Sequence, residues 1–363
     1  MFSAGLYGQT YFDHSYYISN LNSFSYLNPD LAMMSQSPTK WRDQQVHFKW
    51  NGYMYFNDNI SSQISIRNRI FSGYQPEENI NNFEQNISSD VLSFNSISTD
   101  KYLVNHEIDR LFFQWEKDNW NIRIGRQRVN WGIQNFWNPH DLFNQTNFFD
   151  FDYIEKPGAD AIRVQYYPNS NQSIEFALNE DIQGGLYRFN KYKYDFQLLT
   201  AKYYNDYCIG FGWAGQLKNI GVKGELSYFK EINQVQYDFV GSIGFDYNFK
   251  QGIYVSGSCL YKDSSSEVHS FNIYQSETSA KNPMPFTYNF MYHVQFDVYP
   301  LVQLGGTLIH DDMFEFVFIN PQITFSLRES LDLMICTQNV WTEILGKLEN
   351  NNQILFTRLQ WDF

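Results

Sequence analysis

Eight of the eleven arginines fall between Arg67 and Arg188, and none lies between 189 and 327. A guanidinium stays charged at any relevant pH and presents a planar fork that suits carboxylate or phosphate. Arg67, Arg69, Arg110, Arg123, Arg163 and Arg188 share the polar face of alternating segments, and Arg126 and Arg128 open the loop that follows. Glu175, Glu225, Asp246, Asp297 and Asp332 take the same face of other, mostly later segments. Enclosed in one lumen, these groups would set a basic wall against an acidic one. Such a transverse field orders water and selects among polar solutes. The alternative is structural, with Arg–carboxylate pairs filling a packed interior.

The densest pattern is Gly125-Arg-Gln-Arg-Val-Asn-Trp-Gly132, followed by Phe136-Trp-Asn-Pro-His-Asp-Leu-Phe143 and Lys156-Pro-Gly-Ala-Asp160. Trp131, Phe136, Trp137, Phe143, Phe148, Phe149 and Phe151 are too apolar for a solvated loop. Segment 127–159 is therefore expected to fold inward. Trp131, Trp137, His140, Asp141 and Asp150 would then form a constriction against Arg123, Arg126 and Arg128. Asn138-Pro139 suggests a short helix, since proline suits a first turn. An external cap or partner-binding patch is the alternative. Catalytic signals are weak. His310-Asp-Asp312 lacks a third metal ligand at motif spacing, and the seven histidines are scattered. No Ser–His pairing of the kind used by barrel phospholipases and proteases can be assembled from the sequence. The expectation is no enzyme, no metal site and no cofactor. Cys208, Cys259 and Cys336 are far apart and lack disulfide or metal spacing.

The elements that must carry these groups alternate with period 2. Val46, Phe48, Trp50, Met54 and Phe56 alternate with Gln45, His47, Lys49 and Asn51. Leu111, Phe113 and Trp115 meet Trp120, Ile122 and Ile124 across Lys117-Asp-Asn119; Ile162, Val164 and Tyr166 meet Ile174, Phe176 and Leu178 across Pro168-Asn-Ser-Asn171. Turn residues between alternating runs are the hairpin signal. At the end of the chain Leu355, Thr357, Leu359, Trp361 and Phe363 form one face, with Phe356, Arg358, Gln360 and Asp362 on the other. Such a strand sits between lipid and water. A chain of 363 residues with 27 Tyr, 33 Phe and 9 Trp is richly aromatic, and no run approaches the ~20 apolar residues of a membrane helix. Two aromatic girdles and alternating strands reconcile these facts. A net charge of −13 argues against nucleic acid; much of the acid, including Glu77, Glu78, Glu84 and Asp90, falls in expected loops.

The fold class expected is all-β: one transmembrane antiparallel barrel over 1–363, of about eighteen strands. An odd first count becomes even when Gly184–Tyr203 is split at Asn190-Lys-Tyr192. Sixteen is the alternative count, because Leu186–Phe189 is a weak strand. Long outer connections are expected at 13–44, 71–107, 127–159, 263–288 and 341–352, with short turns and both termini on the periplasmic side. Trp50, Trp115, Trp120, Trp213 and Trp361 should face lipid.

The terminal Phe363, with Trp361 and Leu359 before it, resembles the C-terminal signal of Gram-negative outer-membrane barrels, which the insertion machinery reads. The Gly125-Arg126-Gln127, Trp131-Gly132, Asn138-Pro139, Asp141 and Pro157-Gly158 pattern resembles a largely uncharacterised family of porin-like outer-membrane proteins, chiefly of Bacteroidota. The resemblance is centred on residues 120–180. It implies an outer-membrane channel passing small hydrophilic solutes by diffusion, with loop 127–159 setting the aperture; the lumenal arginines would attract anionic groups of the solute. The expected partners are outer-membrane lipids, lipopolysaccharide, the insertion machinery and an outer-membrane protein complex. The alternative is a non-conducting barrel subunit of such an assembly. Met1-Phe-Ser-Ala-Gly lacks the basic and apolar regions of a signal peptide, so the expectation is a mature chain or a missing start. No plug or TonB-coupling segment is expected.

Overall fold

The computed structural model describes residues 10–75, 92–99, 101–144, 156–233, 237–263, 278–344 and 347–363. Among the described residues alternation becomes nineteen strands: β1 (Tyr11–Leu27), β2 (Lys40–Asn57), β3 (Ile60–Gly73), β4 (Ser93–Ser98), β5 (Tyr102–Lys117), β6 (Trp120–Gln127), β7 (Ala159–Asn169), β8 (Gln172–Leu178), β9 (Ile182–Lys191) and β10 (Tyr194–Tyr203). Then come β11 (Asp206–Leu217), β12 (Ile220–Glu231), β13 (Tyr237–Asn248), β14 (Ile253–Lys262), β15 (Tyr288–Tyr299), β16 (Val302–Asp311), β17 (Phe316–Arg328), β18 (Leu331–Ile344) and β19 (Lys347–Asp362). One short helix, α1 (Pro29–Ser35), lies between β1 and β2. None of the described helices is long and apolar enough to cross a membrane.

Eighteen strands close an antiparallel barrel, and β4 is an extra one. Closure runs from Tyr17 opposite Asp362 to Leu27 opposite Asn352. Phe363 clamps the seam: its N–H donates to the Tyr16 carbonyl at 2.8 Å, and its ring stacks on that of Tyr16 at 4.7 Å. β4 has a local reason. β6 pairs with β5 only from Leu111 to Lys117 before the chain turns away. β4 takes the vacated edge at Leu103–Glu107 while β3 holds the other. An open strand edge is thereby covered.

The hairpins at Lys117–Trp120 and Asn169–Gln172 pair in the expected registers, and the weak segment 186–189 lies within β9. Two expected loops are corrected. Most of 13–44 is β1 and the start of β2, because Tyr17, Ser19 and Leu21 pair on both edges despite weak local alternation. Segment 341–352 is mostly strand, since β18 continues through Ile344 and β19 begins at Lys347.

The outer face is an apolar belt. Phe113, Trp115, Trp120, Ile124, Phe176, Ile209, Ile243, Phe245, Trp361 and Phe363 are all exposed. Trp50 and Trp213 share the apolar parity of their strands and are half-buried against outward glycines. The Trp213 ring covers Gly224 across the ladder, as Phe245 covers Gly257. A ring over a glycine restores the packing that a strand without a side chain loses.

Candidate functional site

The wall strand β6 bends at Gly125, where φ is +119° and a Cβ would sit 2.3 Å from the Leu111 carbonyl oxygen, so only glycine fits, and the chain leaves the wall after Gln127. Residues 128–144 then pack on the inner surface of β8–β13. Wall carboxylates hold the loop. Glu225, fully buried, accepts from the backbone N–H groups of Ile133, Gln134 (2.9 Å) and His140 (2.9 Å). Glu175, 1% exposed, accepts from Trp131 Nε1–H at 2.7 Å and from Arg163, Gln165 and Arg188. Gln197 Nε2 donates to the Trp131 carbonyl at 2.9 Å and to His140 Nδ1 at 2.5 Å, which leaves His140 Nε2–H to donate to the Leu226 carbonyl at 3.0 Å. That pattern sets the imidazole as the Nε2–H tautomer.

The wall is hollowed where the loop lands. A Cβ at Gly184 would meet Trp131, at Gly210 His140, at Gly212 Ile133 and at Gly244 Gln134, each within 2.9 Å. Four inward glycines on three strands, β9, β11 and β13, thus receive four loop side chains. Trp131, Trp137 and Leu142 join an apolar cluster with Leu186, Leu199, Phe229 and Ile309 of the wall and Met284 of a second connection. Lys281 of that connection pairs with Asp206 and Asp238 at 3.2 and 2.9 Å. The sequence reading missed this inner apolar face. Its signal was present: Leu198-Leu199 and Phe316-Val317-Phe318 are apolar on both parities, as in strands buried on both sides.

Asn138–Asp141 is a single turn, closed by Asp141 N–H to the Asn138 carbonyl at 3.0 Å, and not the expected helix start. The His140 N–H that would continue a helix is taken by Glu225. Asp141 is buried against Lys156. Burial pushes its carboxyl up to about 6, against the opposing pull of the ammonium.

The arginines end up on local partners. Arg67 and Arg69 share Glu107 at 2.5 and 3.2 Å. Arg110 pairs with Asp109 at 2.8 Å and donates to the Lys156 carbonyl. Arg126 makes a two-bond pair with Asp160 at 2.8 and 2.7 Å and is buried. Arg123 donates to Gln114 at 2.7 Å and lies over the Phe112 ring. Arg128 is exposed. The structure thus separates Arg123, Arg126 and Arg128 instead of grouping them. Among the expected acids, Glu175 and Glu225 lie under the loop. Asp246 is 3.9 Å from Lys223, Asp297 is exposed beside Gln303, and Asp332 is half-buried. Buried charge is tolerated only when paired, so the opposed basic and acidic walls give way to pairs across neighbouring strands. Asp150, Phe148, Phe149, Phe151, Glu77, Glu78, Glu84 and Asp90 lie outside the described residues.

Beneath the loop a cavity of about 380 Å³ is lined by Ile133, Tyr167, Arg188, Asn190, Asp195 and Gln197. Arg188 is one-third exposed there while bonded to the Asn130 carbonyl.

No family model matches the sequence, and no curated protein is similar to it in sequence. The fold does have counterparts. Pseudomonas aeruginosa OccK8 (OprE) superposes with a TM-score of 0.62 at 7% identity, over 97% of this chain and 98% of that one. Acinetobacter baumannii OccAB4 gives 0.60 at 8% identity, over 97% and 98%. A triple mutant of Rhodopseudomonas blastica porin gives 0.50 at 6%, over 97% and 100%. The likeness is one of fold. A closed eighteen-strand barrel of porin type with an apolar belt is an outer-membrane barrel.

Proposed function

We propose that the chain is an outer-membrane channel that passes small hydrophilic, anionic solutes by diffusion, its aperture set by loop 127–159. The observation that carries this reading is the docking of residues 128–144 on Glu225, Glu175 and the four wall glycines. A loop fixed inside a barrel narrows it without closing it as a separate domain would. The cavity beside Arg188 supports a preference for anions, because its guanidinium keeps donors directed at the lumen. The arginines and acids named from the sequence are proposed to line the path in this modified sense: Arg188, Arg123 and Tyr167 reach solute, and the buried pairs hold the wall. The resemblance to Bacteroidota porin-like proteins belongs to the same proposal, as do contacts with lipopolysaccharide and the insertion machinery.

Single-channel recording in a planar bilayer tests the reading. Discrete conductance steps with anion preference are expected, and Arg188→Gln should weaken that preference. A purified, heat-modifiable barrel with no conductance would refute the channel and favour the structural-subunit alternative.

A further inference from the structure

A Ser–His–Asn arrangement lies outside the lumen, on the opposite face of β3, β4 and β5. Ser96 Oγ is 2.7 Å from His106 Nε2, and His106 Nδ1 is 2.6 Å from Asn68 Oδ1. The three side chains come from three strands. Asn68 is directly opposite His106 across β3–β5, and Phe94 is directly opposite His106 across β4–β5. Ser96 stands in the register shift between Asn95 and Ile97, where a bulge re-aims a side chain. Parity sets the face: the neighbours Arg67 and Glu107 pair with each other on the lumen side, so Asn68 and His106 point outward.

The chemistry follows from the bonding. Asn68 has one acceptor oxygen, and in this contact it accepts the Nδ1–H of the imidazole. Nε2 is then the unprotonated nitrogen, aimed at the Ser96 hydroxyl. This is the division of roles by which an orienting group, a base and a nucleophile cooperate. The Phe94 ring stacks on His106 at 4.9 Å and holds its plane.

Height in the membrane gives the substrate class. His106 is nine residues above Trp115, which stands in the aromatic girdle near the short turns. At about 3.3 Å per residue and a tilt of about 40°, that is roughly 23 Å, close to the upper edge of an apolar band about 25 Å tall. Carbonyl esters of lipids sit at this boundary. Phe94, Ile97, Tyr102 and Ile70, 62%, 51%, 50% and 43% exposed, surround the site with apolar surface suited to an acyl chain.

We propose that Ser96 and His106, positioned by Asn68, hydrolyse acyl esters of outer-leaflet lipids. Ser96 Oγ would attack the ester carbonyl while His106 Nε2 takes the hydroxyl proton. The ester C–O bond breaks, and His106 returns the proton to the leaving alkoxide, which departs as the lyso-lipid alcohol. Water, deprotonated by His106, then cleaves the acyl-serine to fatty acid and restores Ser96. No metal or redox partner is needed for the balance. The site stands apart from the loop and is independent of the channel reading.

The test uses the full-length protein in mixed micelles with a phosphatidylcholine carrying thioester-linked acyl chains, and separately a fluorophosphonate probe. Thiol release is expected from the unaltered protein, together with a single phosphonylated residue, Ser96, by mass spectrometry. Ser96→Ala and His106→Ala should abolish both signals while keeping heat-modifiable gel migration. Asn68→Ala should lower kcat at least tenfold at unchanged KM, and Asn68→Asp should restore it. Thiol release no higher than that of Ser96→Ala, or labelling elsewhere in the chain, would overturn the proposal and leave the three residues as a surface hydrogen-bond row.

Discussion

Replacing Glu225 by Gln tests whether a wall carboxylate docks the inner loop. Glu225 is fully buried and accepts three backbone N–H groups, those of Ile133 and Gln134 at one oxygen and of His140 at the other. An amide is nearly isosteric but offers one oxygen and one NH2. Whichever way it turns, at least one loop N–H faces a donor. A hydrogen bond to a charged group contributes about 1.5–3 kcal/mol, and an orphaned buried donor costs about 1–3 kcal/mol. The expected destabilisation of the docked loop is therefore about 3 kcal/mol, which is roughly two decades in the opening equilibrium. The wall ladder of β12 is untouched. Hydrogen exchange resolved by peptide should show amides 133–140 exchanging about a hundredfold faster, with β11–β13 unchanged. Equal exchange at 133–140 in the variant and the parent would refute the reasoning, as would uniform loss of protection through the wall.

Further outcomes follow from the same geometry. Gly210→Val should displace the His140 ring, whose Nε2 lies 2.6 Å from the position of the added Cβ, and raise protease access to the loop; Gly306→Ala, with only backbone atoms at 3.9 Å, should leave access unchanged. Asp141 binds its proton more tightly when folded, at about 6 against 3.8. Its contribution is thus fully present below about pH 4 and is lost as pH rises through about 6, a change on the order of 3 kcal/mol. Asp141→Asn should remove that segment of the pH dependence of loop exchange, and an unchanged profile would count against it. Brominated lipid should quench Trp115, Trp120 and Trp361 but spare Trp131 and Trp137, which are 0% and 4% exposed; quenching of Trp131 would place the loop outside the barrel.

Much of the wall was legible in the chain because strand parity and turn chemistry are local. The rows around Trp120–Ile124 and Ile162–Tyr166, the split at Asn190–Tyr192 and the exit of the chain near Gln127 needed only neighbouring residues. β1 was illegible because its segment alternates weakly, and its pairing with β2 and β19 holds it in place. The extra strand β4 depends on an edge that β6 leaves free.

The sequence by itself determined the architecture: period-2 alternation, an even count and an apolar outer belt, all forced by the need to satisfy the backbone in lipid. Parity also divided the residues of each strand between two faces. Only the tertiary structure decided what those residues meet. Glu225 looked like a free lumenal charge until a loop about ninety residues earlier brought it three N–H groups, a distance in sequence at which periodicity carries no information. Asn68, Ser96 and His106 are separated by an extra strand and a bulge, and no spacing rule joins them. Closure of the barrel sets strand register, and register sets which distant side chains share a face.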